Sequence, residues 1–178
     1  MARLTRKRIL IMATDGFEES ELFGPRALLL GEGAEVSLAS PARTPIQATI
    51  MDDPGKTIRP DLTIVDAREE DYDALVLPGG VRNPDSLRTH GPAIALIQAF
   101  AAAGKPVAAI CHGPWLLAEA DLLRGRTIAC WPSIATDLRN AGATIIDQSA
   151  VVDRNLVTSR KPQDVPDFTE ALIRLLES

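Results

Sequence analysis

The apolar positions of this chain change period repeatedly. Residues 8–13, RILIMA, form an unbroken apolar run, as in a strand buried on both faces. Residues 18–33 are apolar at helical spacing and close on Gly31 and Gly33; Pro25 inside them is expected to kink or break the helix. Residues 34–40 alternate like a strand. Residues 41–60 carry Pro41, Pro45, Pro54, Gly55 and Pro60 and read as loop, with room for a short strand. LTIVDA (62–67) and YDALVLPGG (72–80) follow as strands, the second running into a glycine turn. Residues 84–104 read as helix with a restart at Gly91–Pro92. KPVAAIC predicts a strand, and GPWLLAEADLL a helix with proline in its first turn. RTIACW and ATIID predict strands around the helix PSIATDLRNAG. Residues 150–159 read as a hairpin around Asp153–Asn155, and VPDFTEALIRLLES as an amphipathic terminal helix.

Alternating strands and helices imply an α/β fold, mostly parallel, with helices on both faces. The 178 residues fit a single domain, 1–178, with no repeat, linker or low-complexity segment. A hydrophobic fraction of 46% and a charged fraction of 24% are globular values. The net charge of −5 argues against a nucleic-acid partner held through phosphates. The basic cluster RLTRKR (3–8) reads as a solvated lead-in. The short run ILIMA predicts no signal peptide, and no stretch reaches membrane-spanning length. Two cysteines, Cys111 and Cys130, make no disulfide framework, and two histidines, His90 and His112, exclude a multi-histidine metal site. The expectation is a reduced cytoplasmic protein with no metal and no cofactor.

In such folds ligands bind beyond the C-terminal ends of the strands. Three segments fall there: TDGFEE, PGG and CHGP. In the last, Ala109-Ile110-Cys111-His112-Gly113 resembles a nucleophile elbow, with an alanine in place of the first glycine. Such a turn strains the backbone at Cys111, lifts the sulfur clear of the sheet and favours thiolate at a helix start. A buried, inert cysteine is the competing reading. Glu18 is the acid expected to turn back toward the thiol and, protonated beside a thiolate, donate to it. Glu19 and Glu21 are expected in solvent. Gly79 and Gly80 form either a tight turn or a place where backbone N–H groups approach a substrate oxygen. Cys130 reads as core.

DALVLPGG, GKPVAAICHGPWLLAEADLLRGR and VVDRNLVTSRKPQD resemble the PfpI-type superfamily of intracellular cysteine peptidases, cofactor-independent glyoxalases and protein deglycases. The resemblance runs over essentially the whole chain, and AICHGP is its most specific element. It implies a flavodoxin-like three-layer sandwich and a homo-oligomer, dimer or hexamer. It makes Cys111 the nucleophile, His112 its neighbour and Glu18 the acid bonded to sulfur. Gly79 or Gly80 with the His112 N–H would form the oxyanion hole, and Trp131 would line the pocket unless it is a core aromatic. In the peptidase branch a partner subunit supplies a carboxylate after PGG. The matching residue is Asp85, one position further on than in that pattern and shorter than glutamate.

The function expected first is attack of Cys111 on a reactive carbonyl: methylglyoxal, glyoxal, or an adduct of these with an amine or thiol. Alternatives are a peptidase acting on peptides inside an oligomer, and a redox-sensing chaperone in which Cys111 is oxidised.

Overall fold

The computed structural model describes residues 2–178. In chain order the first half runs β1 (Arg8–Met12), β2 (Phe17–Glu18), α1 (Glu19–Gly31), β3 (Glu35–Ser40), β4 (Ile46–Ile50), β5 (Asp53–Ile58), β6 (Leu62–Thr63), β7 (Ala74–Leu77), α2 (Arg82–Leu87) and α3 (Gly91–Ala102). The second half runs β8 (Val107–Ile110), α4 (Pro114–Glu119), β9 (Thr127–Ile128), α5 (Ala135–Asn140), β10 (Thr144–Ile145), β11 (Val151–Asp153), β12 (Leu156–Ser159) and α6 (Val165–Glu177). Seven strands build the main sheet in the order β11-β12-β8-β7-β1-β3-β6. Every neighbouring pair is parallel except β11 with β12, the expected hairpin.

The unbroken apolar runs are explained by what covers each face. Leu10 and Met12 of β1 join Leu75, Leu77, Val107 and Ala109 beneath α3 and α4, where Phe100, Leu116 and Leu117 are fully buried. Ile9 and Ile11 turn the other way, with Val76, Ala108 and Ile110, beneath α1 and α6, where Leu22, Phe168 and Leu172 are fully buried. Consecutive strand residues point to opposite faces, so a sheet covered twice requires apolar residues at every position. Each fully buried leucine or phenylalanine contributes about 1.5–3 kcal/mol. The result is the three-layer α/β sandwich, mostly parallel, that the pattern implied. No helix among the described residues is long and apolar enough to cross a membrane.

Several elements depart from expectation. Helix α1 runs through Pro25 without interruption. Proline removes only the N–H that would meet the Glu21 carbonyl, and burial of the face carrying Pro25 and Leu29 holds the helix together. Residues 41–60 contain a hairpin, β4 with β5, which joins β2 in a separate three-stranded sheet. Pro54 is tolerated because β5 is an edge strand and its other side needs no donor. The strand expected over 62–67 stops after Thr63 and becomes a single tight helical turn. The strand expected in RTIACW is two residues long, and it pairs with β10 outside the main sheet.

Candidate active site

Strand β8 ends at Ile110, and the next residue, Cys111, has φ of 63°. A non-glycine residue rarely enters this left-handed region, so the elbow carries the strain its sequence suggested. The turn is clamped from both sides. The Cys111 N–H donates to the Ser159 carbonyl at 3.0 Å, and the Cys111 carbonyl accepts from the Trp131 N–H at 2.9 Å. Gly113 is required by closeness: a Cβ there would sit 2.6 Å from the Leu77 carbonyl oxygen. The sulfur opens into a cavity of about 250 Å³ whose walls include Glu18, Met51, Val81, His112 and Trp131. A larger groove of about 580 Å³ between β11 and α6 holds no cysteine or histidine.

The carboxyl group held against the thiol belongs to Glu21, not to Glu18. Glu18 ends β2 and precedes α1; its carboxylate accepts from the Met51 N–H at 3.1 Å in the cavity wall. Glu21 lies in the first turn of α1, on the inward face that carries Leu22, Pro25 and Leu29, and it is fully buried rather than solvated. Its Oε2 accepts from the Gly79 N–H at 2.8 Å. Its Oε1 is buried with no hydrogen-bond partner. The missing side chain of Gly79 is what lets the two groups approach. A Cβ there would meet Glu21 Oε2 at 2.5 Å and Cys111 Cβ at 2.8 Å.

This placement also narrows the choice between Gly79 and Gly80. The Gly79 N–H is already committed to Glu21, leaving Gly80 and His112 as the backbone donors that face the sulfur. Gly80 has φ of 73°, and a Cβ there would lie 2.8 Å from the Glu18 backbone nitrogen and against the Gly16 carbonyl. Gly80→Ala is therefore expected to lower stability by several kcal/mol through strain and backbone overlap. Chemical denaturation measures it; a midpoint equal to wild type would show that the turn relaxes freely.

Electrostatics at the pair run opposite to the expected thiol activation. Burial, then the Glu21 charge, pushes the Cys111 thiol up, while the N–H groups of His112 and Gly80 pull it down. Burial likewise raises Glu21 to about 8, against the pull of the Gly79 N–H. Two buried acids in contact do not both ionise readily, so the pair holds at least one proton through neutral pH. His112 Nδ1 lies 3.2 Å from Cys111 Sγ. Burial lowers the pKa of His112, which favours the neutral imidazole and an acceptor toward the thiol. Its ring is fixed between Trp131, stacked at 5.8 Å, and Trp115, edge-on at 5.2 Å. Trp131 is thus both a cavity wall and the support of the imidazole.

Asp85 is exposed on α2, outside the cavity. Among the described residues, the hydrogen-bond partner of the His112 ring is Cys111, and no carboxylate is bonded to its far side in the manner of a peptidase triad. Cys130 is buried away from the cavity, and burial raises its thiol to about 11. Cys130→Ala is expected to keep iodoacetamide labelling of Cys111 within about twofold of wild type; a larger drop would mean that the wrong thiol has been assigned. Among the described residues no group of three His, Cys, Asp or Glu side chains is placed to hold a metal ion.

The sequence reading missed Glu21 and the β4–β5 turn, which brings Met51 and Asp52 to the cavity. A signal for Glu21 was present. It stands four and eight residues before Pro25 and Leu29, in register with the buried stripe of α1. A carboxylate in an apolar stripe is a functional signal that a solvated first-turn acid is not.

Sequence and structure comparisons identify the family. The model of the DJ-1/PfpI family matches residues 7–175. A deglycase of Pyrococcus horikoshii is 39% identical, covering 96% of this chain and 99% of its own. Protein/nucleic acid deglycase 2 of Escherichia coli is 39% identical, covering 96% and 98%. The crystal structure of Drosophila melanogaster DJ-1beta superposes with a TM-score of 0.88 at 26% identity, over 96% of this chain and 90% of that one. A family match over nearly the whole chain, with a cysteine elbow and a buried acid at its focus, places this protein in the DJ-1/PfpI family.

Proposed function

We propose that the protein is a cofactor-independent glyoxalase/deglycase that uses Cys111 against reactive dicarbonyls and the adducts they form with amines. The observation that carries this reading is the buried Cys111–Glu21 pair at the floor of a small cavity. The relatives from Pyrococcus horikoshii and Escherichia coli bear deglycase names, which supports the same chemistry. The cavity has room for a three-carbon dicarbonyl and the nitrogen that carries it, and none for folded polypeptide.

In the singly ionised pair, the tautomer with charge on sulfur and the proton on Glu21 is the nucleophile. The thiolate adds to the aldehyde carbon, and the oxygen that gains the electron pair takes the Glu21 proton, giving a hemithioacetal and leaving Glu21 a carboxylate. With an amine adduct, the carbon–nitrogen bond breaks instead, and the amine leaves with the Glu21 proton. The hydrogen on the former aldehyde carbon then leaves as a proton to the Glu21 carboxylate, its electron pair forming an enediolate. The first carbon's hydroxyl proton passes to the neighbouring carbon's oxygen while Glu21 returns its proton to that neighbouring carbon, giving a thioester of the hydroxy acid. Water cleaves that thioester and releases the hydroxy acid and the thiol. One carbon is oxidised while its neighbour is reduced, so no external oxidant enters. The N–H groups of Gly80 and His112 stabilise the oxyanions, and neutral His112 takes or returns the thiol proton.

The test is conversion of methylglyoxal, and of its preformed arginine adduct, to lactate by purified protein. Lactate in step with dicarbonyl loss is expected. Loss of neither compound over many protein equivalents would remove the reading.

A further inference from the structure

Three segments that line the cavity each lead into a short helix of six residues. Gly80 leads into α2, the Cys111–His112 elbow leads through Gly113 into α4, and Trp131 leads through one tight turn into α5. The three helices are tied together at one side chain, Trp115 in the first turn of α4. Its ring meets the His112 ring at 5.2 Å and packs on the core beneath α3 and α4. Its indole N–H donates to Asp137 Oδ2 of α5 at 3.0 Å. The guanidinium of Arg88, just past the end of α2, lies over the indole 5.3 Å from its centroid. Glu119, one turn along α4 from Trp115, accepts from Arg88 Nε at 3.3 Å and so aims the guanidinium. The Arg88–Glu119 pair is partly exposed and contributes little by itself. The stacked guanidinium and the indole hydrogen bond are directional, and both act on the same ring.

We infer that Trp115 is a positioning residue, clamped by Arg88 and Asp137 so that the His112 ring keeps Nδ1 facing the Cys111 sulfur. The inference rests on the proposed chemistry only for what His112 does with its proton; geometry alone shows what holds the ring. The elbow sets where the His112 backbone stands but leaves two side-chain torsions free. Trp131 lies against the imidazole at an interplanar angle of 25° and Trp115 at 64°, so the two contacts together oppose rotation about both. Trp115 does so only while it is itself held. An imidazole moved by about 1 Å loses its bond to the thiol, and misplacements of that size cost up to about 10²-fold.

The chain has two histidines, so NMR spectra of protein carrying isotope-labelled histidine show two sets of ring signals, with His90 as internal reference. The indoles beside His112 shift its ring signals away from those of a free histidine. The experiment compares these signals, with kcat and KM for methylglyoxal, in wild type, Trp115→Leu, Asp137→Ala and Asp137→Asn. Asp137 is exposed, so its variants are expected to fold even if Trp115→Leu does not. Asp137→Ala is expected to move the His112 signals toward free histidine, leave His90 in place, and lower kcat by about tenfold with KM within about twofold. Trp115→Leu is expected to do the same or more. Asp137→Asn keeps an oxygen acceptor for the indole N–H and is expected to restore both readouts. Wild-type His112 signals and kcat in folded Asp137→Ala overturn the inference, as does a loss that Asp137→Asn shares in full. If wild type consumes no methylglyoxal, the proposed chemistry fails, and the His112 signals alone decide whether the clamp holds the ring.

Discussion

Cys111→Ser is expected to bring lactate formation from methylglyoxal to background, a fall of about 10³-fold or more. The substitution keeps the side chain nearly the same size at a position only 6% exposed, so the fold should persist. What changes is the nucleophile. A serine hydroxyl ionises far above a thiol, and neutral His112 beside it lacks the orienting carboxylate that would make it a strong base. Asp85 is exposed and outside the cavity, so it does not supply that help within the chain. The measurement is lactate yield per protein, with circular dichroism and thermal midpoint as controls for folding. Turnover that survives in a folded Cys111→Ser protein would place the chemistry elsewhere.

Glu21→Gln is expected to cost about 10²–10⁴-fold in turnover, the range that a positioned acid–base group supplies. Glutamine keeps the shape and can still meet the Gly79 N–H, but it has no proton to carry between the two substrate carbons. The same variant has a signature in stability. Glu21 is raised from 4.5 to about 8 by burial, whereas the unfolded chain ionises it near its ordinary value. As pH rises from about 4.5 to about 8, the unfolded state loses this proton and the folded state keeps it. The stability associated with protonated Glu21 is therefore fully present below about 4.5 and is lost as pH rises through about 8. The loss is on the order of a few kcal/mol. Denaturant melts of wild type minus Glu21→Gln across this window isolate it, because the other titrating groups cancel. A difference that stays flat with pH would mean that Glu21 is ionised in the folded protein.

The layers of the fold were legible because burial on both faces of a sheet leaves a plain mark, the unbroken apolar runs of β1, β7 and β8. The elbow was legible for a similar reason: a strand, a short turn and Gly113-Pro114 leave few conformations for Cys111. The β4–β5 hairpin was hidden because an edge strand accepts Pro54 and needs no apolar alternation. The exchange of Glu18 for Glu21 has a geometric cause. Glu18 ends β2 and reaches the cavity wall, where the Met51 N–H holds it, whereas Glu21, three residues on, lies on the inward face of α1 against Gly79. First-turn acids suggest dipole stabilisation, and that pattern masked Glu21's place in the buried stripe. The raised thiol was not readable at all. It depends first on burial of the sulfur and then on the closeness of a group 90 positions earlier in the chain, brought there by the contact of both with Gly79.

The most direct test of the account is the rate of Cys111 alkylation by iodoacetamide against pH, read by mass spectrometry at that residue, in wild type, Glu21→Gln and Glu18→Gln. Coupled ionisation predicts an inflection near pH 8 in wild type, followed by a further rise toward a second step at higher pH. In Glu21→Gln the two steps should merge into a single inflection lying between them, because the thiol then titrates beside a neutral group. Glu18→Gln should keep the two-step form. Superimposable wild-type and Glu21→Gln profiles, or a two-step form lost only in Glu18→Gln, would contradict the pairing on which the proposed chemistry rests.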